Sequence, residues 1–363
     1  NTLQASRRSH SPMEQLLQEF LEPRSTISLL GIIAVSLVAL GKFADLVVDY
    51  AVVLSERSGI PKVVIGATVV SLGTTAPEVA VSVTAAFNGN PGLAMGNAVG
   101  SIICDTGLIL GVACLIRPLT IPWDIANRQG WVQLACGFLI VLLSIPWAAP
   151  FSPYTDGAEG NFPQWAGFLC LGLLAVYLWV SVKWSMGSGA AASEGVEEVG
   201  DSEASVPAAV LIVKIILSLA GVILSANILI PAVTIVAIRL NVPEAVIALT
   251  LVAFGTSLPE LVTAIQAARK GHGDLAVGNI IGADILNALF VAGAAAAVTP
   301  AGLTVDQSFF WPAFPAMLFV LVVFRIGIYV CRTQLTRKFG FVLLAAYFAY
   351  LAVSIVGGVN PGH

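Results

Sequence analysis

The sequence of 363 residues has few charged side chains. Asp, Glu, Lys and Arg make up 10 % of it, whereas an ordinary soluble domain has about 25 %. A soluble protein of this size could not cover its surface with so few charges, and an apolar fraction of 57 % excludes a disordered chain. The net charge is −4 and no long basic run is present, so nucleic acid is not expected as a partner.

Cysteine and histidine are also scarce. The five cysteines are an odd number and all lie in or beside apolar runs, which predicts packing residues and not a disulfide framework. No nucleophile–base set and no catalytic metal triad is visible in the sequence. The sequence therefore predicts a protein that is not an enzyme and that needs no cofactor.

Long apolar runs are the main feature that the sequence does have. A transmembrane helix needs about 20 mainly apolar residues, and the runs here are too long and continuous for strands of a membrane β-barrel. The ten predicted spans are residues 27–50, 61–87, 92–116, 128–149, 162–183, 207–238, 243–268, 274–298, 308–331 and 339–358. The predicted fold class is an all-α membrane protein that crosses the lipid bilayer many times.

An acidic, Gly- and Ala-rich linker divides the ten spans into two groups of five. The predicted segments are an N-terminal tail with an interfacial helix (1–26), a first five-helix repeat (27–183), the linker (184–206), a second five-helix repeat (207–358) and a C-terminal tail (359–363). Lys and Arg are concentrated in the loops on the linker's side, which predicts a cytoplasmic linker and both termini outside. The expected location is a bacterial-type inner or plasma membrane.

The two groups contain an internal repeat. Residues 60–118 align with residues 242–300 without a gap, and 21 of the 59 positions are identical. The best stretches pair GTTAPE (73–78) with GTSLPE (255–260). Because the copies are five spans apart, an odd number, they must insert with opposite topology. Inverted repeats are typical of secondary transporters, whose binding site lies at the midplane between the copies.

Each copy is predicted to contain a broken helix. Pro77 and Pro259 lie inside spans 2 and 7, where proline removes an N–H and clashes with the carbonyl four residues earlier. We expect an unwound turn over 72–76 and over 254–258, with carbonyls that a bound cation could satisfy. An alternative is a capping box in each copy, in which Glu78 and Glu260 only cap a kinked helix.

The helix after each break carries a polar stripe with a spacing of four residues. The stripe is Asn97, Ser101 and Asp105 in the first copy and Asn279, Ala283 and Asn287 in the second. Together with the glutamates and the hydroxyls near the breaks, these groups can supply oxygen ligands to a metal ion. No His or Cys side chain belongs to the set. Oxygen-rich sites favour hard cations such as Ca²⁺, which takes about six to eight oxygen ligands.

At these residues the chain resembles the cation/calcium exchanger superfamily, specifically its sodium/calcium exchanger branch. The paired GTTAPE and GTSLPE motifs, each followed by a GN-x-x-G helix, resemble that family's two α-repeats. The resemblance implies an antiporter that exchanges Ca²⁺ for Na⁺ by alternating access at one midplane site. We expect the protein to be active as a monomer. The residues implied as metal ligands are Glu78, Glu260 and the Thr74 and Thr256 carbonyls for Ca²⁺; Ser101, Thr75, Ser257 and the Ser71 and Ala253 carbonyls for Na⁺; and Asp105 and Asn287 at the centre.

The chain departs from the family pattern in three respects, all in the helices that carry the polar stripes. Asp105 lies in the first repeat and Asn287 in the second, an arrangement that argues against a K⁺ requirement. Ala283 lacks the hydroxyl that would serve a sodium ion. Asp284 stands where the family usually has Asn, and it could reach the edge of the site or bind a neighbouring helix.

The carboxylates also predict a protonation event. Glu78 and Glu260 together neutralise one Ca²⁺, so an ionised Asp105 would leave a costly buried charge. We therefore expect Asp105 to hold a proton when Ca²⁺ is bound, or to share one with the glutamates, and transport to depend steeply on pH. In the first span, Lys42 and Asp45 are spaced for an ion pair, with Asp49 on the same face.

Two other functions remain open. A proton-coupled Ca²⁺/H⁺ exchanger of the same fold is suggested by Ala283 and the additional aspartates, although Gly100 and Gly282 replace the Glu of that branch. A cation channel is less favoured because channel filters are usually built from symmetric subunits, whereas this chain closes its site by internal repetition.

Overall fold

The protein is described from a computed structural model that covers residues 17, 19–147, 149–150, 152, 158–187, 207–240 and 255–356. The helices are α1 (Thr26–Ser58), α2 (Lys62–Thr74), α3 (Ala76–Phe87), α4 (Pro91–Ile116), α5 (Trp123–Ser144), α6 (Gln164–Gly187), α7 (Ala208–Arg239), α8 (Leu258–Lys270), α9 (Gly273–Ala297), α10 (Phe309–Cys331) and α11 (Arg337–Val356). Four short strands lie in loops: β1 (Leu119–Thr120), β2 (Gly160–Phe162), β3 (Leu303–Val305) and β4 (Gln334–Leu335).

The helices have the length and surface of membrane spans. Seven of the described helices are long and apolar enough to cross a bilayer, and the bent pair α2–α3 adds an eighth. Large apolar side chains such as Phe168, Trp179 and Leu217 are more than half exposed on them, as expected of a surface that faces lipid. The all-α, multi-pass membrane fold is thus confirmed.

The count of ten spans stays a prediction. The fourth predicted span corresponds to α5, which is not among these eight, and the polar residues Asp124, Arg128, Gln129 and Gln133 lie within it. The seventh corresponds to α8, and residues 241–254, which precede it, lie outside the described part of the chain. Each of the other described helices overlaps one of the ten predicted segments, and α1 extends to Ser58, beyond the predicted end at residue 50.

Several helix ends differ from the predicted boundaries. Helix α5 begins at Trp123 and ends at Ser144, several residues earlier than the predicted 128–149, because Pro146 follows directly and disfavours continuation. Helix α6 continues to Gly187, inside the predicted linker. The rest of the linker (188–206), most of the N-terminal tail (1–16 and 18) and the C-terminal tail (359–363) lie outside the described residues.

Matched glycines show the inverted repeat in the packing. A Cβ added at Gly167 of α6 would lie 2.6 Å from the Gly293 carbonyl oxygen, and one at Gly340 of α11 would lie 2.8 Å from the Gly111 carbonyl oxygen. Gly111 and Gly293 are equivalent positions of the two copies. Helix α4 therefore packs on α11 in the same way that α9 packs on α6, with small residues that allow the backbones to approach.

The short strands also connect the two halves, because each strand of one half pairs with a strand of the other. Strand β1 follows α4 and pairs antiparallel with β4, which lies between α10 and α11. Strand β3 follows α9 and pairs antiparallel with β2, which lies between α5 and α6. The strand that follows α4 and the strand that follows α9 therefore each pair with a loop of the other half.

Burial separates a central pair of helices from peripheral ones. In the most apolar stretch of each helix, 78 % of α4 and 83 % of α9 is buried, against 22 % of α1 and 33 % of α7. Helices α1 and α7 pack against each other, with Phe43 over Gly221. Helix α9 also crosses α2 closely, since a Cβ at Gly66 would lie 2.6 Å from the Leu275 carbonyl oxygen. The most buried helices are those that carry the predicted polar stripes.

Candidate functional site

The break in the second span is a bend at one residue. The axes of α2 and α3 differ by 45°, and Thr75 lies between them. Its N–H still donates to the Ser71 carbonyl at 2.9 Å, so the expectation of an unwound turn over 72–76 is wrong in extent. The physical reason is that Pro77 falls in the first turn of α3, where its missing N–H needs no partner. The broken helix itself is confirmed.

The second copy has a similar backbone conformation at the residue that precedes its helix. Ser257 has φ −83° and ψ 7°, close to φ −79° and ψ −2° of Thr75, and α8 begins directly after it with Pro259 in its first turn. Gly255, Thr256 and Ser257 form a turn before the helix. The predicted ligand Ala253 and the start of the predicted turn, residue 254, lie outside the described residues.

The hydroxyls at the two breaks reach across to the opposite repeat. The Thr75 hydroxyl donates to Glu260 Oε1 at 3.4 Å, and Ser257 Oγ lies 3.4 Å from Ser101 Oγ. Neither hydroxyl caps the helix that it precedes. The capping-box alternative is therefore wrong, and the hydroxyls join the copies at the level of the breaks.

The two glutamates are buried with unsatisfied oxygens. Glu78 and Glu260 are each 1 % exposed, and Glu78 interacts electrostatically with both Glu260 and Asp105. Within the described chain, both Oε atoms of Glu78 and Oε2 of Glu260 have no hydrogen-bond partner. A buried carboxylate without partners costs several kcal/mol, which a bound cation would offset.

Asp105 of the first copy and Asn287 of the second are in contact between the two copies. They are 182 positions apart and so equivalent, and Asn287 Nδ2 donates to Asp105 Oδ2 at 3.2 Å. Each lies in a π-helical segment, Cys104–Ile109 in α4 and Asn287–Val291 in α9. Such segments are frequent at functional sites. Asp105 Oδ1 and Asn287 Oδ1 have no hydrogen-bond partner among the described residues.

Two asparagines of the GN-x-x-G motifs hold the glutamate-bearing helices in place. Asn97 Nδ2 donates to the Glu78 carbonyl at 3.1 Å and to Ser82 Oγ at 2.9 Å. In the second copy, Asn279 Nδ2 donates to Thr263 Oγ1 at 3.3 Å, and Thr263 in turn donates to the Glu260 carbonyl at 3.0 Å. The sequence shows the asparagines as a repeated motif but gives no sign of Ser82 and Thr263.

Asp284 binds a neighbouring helix. Its Oδ2 accepts hydrogen bonds from the Thr106 hydroxyl of α4 and from Gln133 Nε2 of α5. Of the two roles left open by the sequence, the structure shows the contact with a neighbouring helix. Gln133 was not identified as a site residue, although a glutamine inside an apolar span is a signal that could have revealed it.

The remaining predicted ligands surround the first break. Thr74 is fully buried and its hydroxyl donates to the Ser71 carbonyl at 3.3 Å, which already accepts the Thr75 N–H. The Thr256 hydroxyl donates to Asn97 Oδ1 at 3.2 Å. In the described part of the chain, no group of three or more His, Cys, Asp or Glu side chains is arranged to hold a metal ion. Hydroxyl, amide and carbonyl oxygens would therefore have to complete any cation site.

The charges of the first span pair differently from the expectation. Lys270, in the last turn of α8, lies 2.7 Å from Asp49 and 3.3 Å from Asp45. The predicted ion pair of Lys42 with Asp45 is therefore replaced by a pair between helices, because α8 packs beside α1. The contact links the peripheral helix α1 to the helix that carries Glu260.

These features define a class of protein. Inverted repeats, paired broken helices and buried carboxylates between the copies are the architecture of a secondary ion transporter. A sequence model of the family described as sodium/calcium exchanger protein matches residues 28–183 and 210–356. The chain belongs to this family of cation exchangers.

Individual relatives agree with the family match. The chain is 33 % identical over 315 residues to the inner membrane protein YrbG of Escherichia coli, covering 85 % of this chain and 91 % of that protein. It is 30 % identical over 343 residues to the sodium/calcium exchanger MaX1 of Methanosarcina acetivorans, covering 89 % and 97 %. The solved sodium-calcium exchanger NCX_Mj superposes with a TM-score of 0.74 at 25 % identity, covering 90 % of this chain and 99 % of that one.

Proposed function

We propose that this protein is a secondary-active antiporter that exchanges Ca²⁺ for Na⁺ across the membrane by alternating access. The observation that carries the proposal is the pair Glu78 and Glu260, which lie on matched broken helices, buried, with oxygens that lack partners in the described chain. Two carboxylates carry the charge that neutralises one Ca²⁺ or two Na⁺. A site of this kind can bind either one Ca²⁺ or two Na⁺, but not all of these ions at once. This competition is what exchange requires.

The ligand set follows from the groups around the pair. Ca²⁺ needs about six to eight oxygens, and the two glutamates can supply up to four. The Thr74 and Thr256 carbonyls are proposed to add the next two. For Na⁺ the proposed ligands are the glutamates with Ser101, Thr75, Ser257 and the Ser71 and Ala253 carbonyls, and Asp105 and Asn287 complete the centre.

The proposed setting is a bacterial-type inner or plasma membrane, with the protein active as a monomer. The Lys and Arg bias of the loops supports a cytoplasmic linker and both termini outside. In this orientation the pair of Lys270 with Asp49 lies at the cytoplasmic end of α1 and α8.

The proposal is tested with purified protein in liposomes. Uptake of ⁴⁵Ca²⁺ is measured with an outward gradient of Na⁺, of K⁺ or of H⁺, each at the same membrane potential. Only the Na⁺ gradient is expected to drive uptake against a Ca²⁺ gradient. Glu78→Gln and Glu260→Gln are expected to abolish uptake, and Glu159→Gln, at an exposed loop position, serves as the matched control.

Proton-driven exchange is the second candidate because Ala283 lacks a hydroxyl where the equivalent Ser101 has one. Uptake that follows the H⁺ gradient and ignores the Na⁺ gradient would establish it in place of the first proposal. A channel would instead give a flux that is not coupled to any second ion.

A further inference from the structure

Asp284 is held by donors from two other helices, on one oxygen only. The residue is 2 % exposed, and its Oδ2 accepts both the Thr106 hydroxyl and Gln133 Nε2. Gln133 Nε2 also lies 3.2 Å from Thr106 Oγ1, so α4, α5 and α9 meet at this carboxylate. Its other oxygen, Oδ1, is buried and has no hydrogen-bond partner in the described chain.

A structural role alone does not require a carboxylate at this position. An asparagine oxygen could accept the same two hydrogen bonds without a charge. An ionised carboxylate with a free oxygen in the interior costs several kcal/mol unless a cation compensates it. The free oxygen of Asp284 therefore points to a ligand that the hydrogen bonds do not replace.

Two more unsatisfied oxygens lie on the same helices. Asp105 precedes Thr106 in the π-helical segment of α4, and Asn287 lies about one turn after Asp284 in α9. Asp105 Oδ1 and Asn287 Oδ1 are both buried without partners among the residues described. Asp105 and Asp284 also interact electrostatically. Three buried oxygens without hydrogen-bond partners thus lie on α4 and α9, two helices that are in contact.

We propose that Asp284 forms, with Asp105 and Asn287, a site for one monovalent metal cation beside the Glu78–Glu260 pair. This inference rests on the proposed exchange function and names where one of the exchanged sodium ions binds. Three protein oxygens are too few for Ca²⁺, which takes about six to eight, but suit a monovalent ion that keeps water ligands. Ala283, the equivalent of Ser101, offers no hydroxyl, and the adjacent Asp284 supplies an oxygen ligand in its place.

The first test is Asp284→Asn in the full chain, reconstituted in liposomes. Its amide oxygen preserves the two accepted hydrogen bonds, and its NH₂ group replaces the proposed ligand oxygen. The Na⁺ concentration for half-maximal Ca²⁺ transport is expected to rise about tenfold, and the Hill coefficient for Na⁺ to fall by about one. Exchange of Ca²⁺ for Ca²⁺ without Na⁺ is expected to be retained. Asp274→Asn, the same change in the first turn of α9, should alter neither quantity.

The second test does not depend on transport or on that variant. Equilibrium binding of ²²Na⁺ is measured on the purified Glu78→Gln/Glu260→Gln double variant, which leaves the Asp284 site intact. Retention of one Na⁺ per chain is expected, and no bound Na⁺ would overturn the proposal.

Other outcomes are equally decisive. An unchanged Na⁺ dependence of Ca²⁺ transport in Asp284→Asn overturns the proposed site. The proposal is also overturned if Asp284→Asn changes only the pH dependence of transport, because the site would then hold a proton and not a metal ion. If the wild type shows no Na⁺-driven Ca²⁺ transport, the proposed function fails, and ²²Na⁺ binding still decides whether this site exists.

Discussion

Replacing Glu78 by glutamine should raise the stability of the ion-free protein and remove most of the stabilisation by Ca²⁺. Both carboxylate oxygens of Glu78 lack partners in the described chain and the residue is 1 % exposed, so ion-free protein bears the cost of a buried, unsatisfied group. Glutamine has nearly the same shape and no charge. The buried amide still lacks partners, but leaving a charged group without partners costs more than leaving a neutral one, so Glu78→Gln is expected to be more stable than the wild type in ion-free buffer by about 1–3 kcal/mol.

Added Ca²⁺ should stabilise the wild type more than the variant. A ligand that binds only the folded state at 100 times its dissociation constant stabilises that state by about 2.7 kcal/mol. The wild type should gain this stability on addition of Ca²⁺, and Glu78→Gln should gain little because half of the charge of the proposed site is gone. The assay is thermal unfolding followed by tryptophan fluorescence, with Glu159→Gln as the control. An equal Ca²⁺-induced gain in both proteins would refute the reasoning.

Further predictions concern pH, packing and a histidine outside the spans. Ca²⁺ transport should vary steeply from about pH 6 to 9 because Asp105 must exchange a proton, and a flat profile would contradict this. Gly167→Ala should destabilise the fold by about 1–3 kcal/mol, since its Cβ would lie 2.6 Å from the Gly293 carbonyl oxygen. Gly172→Ala on the same helix meets nothing within 4 Å, so in thermal unfolding it should be neutral or stabilising by up to about 1 kcal/mol. Burial and the nearby Lys62 lower the pKa of His272 below 6.5. The unfolded chain therefore binds the proton first as pH falls, and stability should decrease below about pH 6.5 in the wild type but less in His272→Gln.

The site could be predicted from the sequence because its two halves repeat. A gap-free alignment places Pro77 over Pro259 and Glu78 over Glu260, and the proposed carboxylate ligands lie at those repeated positions. Asp105 and Asn287 are also equivalent positions, and they meet because both lie where α4 and α9 face each other. Here local pattern and overall symmetry point to the same residues.

The remaining contacts depend on packing that the repeat does not encode. Gln133 lies in α5, outside the aligned region, so its bond to Asp284 requires the three-dimensional arrangement of α4, α5 and α9. Lys270 pairs with Asp49 more than 200 positions away, and this contact displaced the local pair expected within α1. In the first copy the helix break is also shorter than expected, because a proline in the first turn of the new helix leaves only Thr75 outside the helices.

The most direct test of the account is competition between Na⁺ and bound Ca²⁺ on the purified protein. Equilibrium ⁴⁵Ca²⁺ binding should show one Ca²⁺ per chain that Na⁺ displaces with a Hill coefficient above one, and Glu78→Gln and Glu260→Gln should each lose it. Retention of that Ca²⁺ in the double variant, or its indifference to Na⁺, would contradict the claim that this glutamate pair binds the exchanged ions.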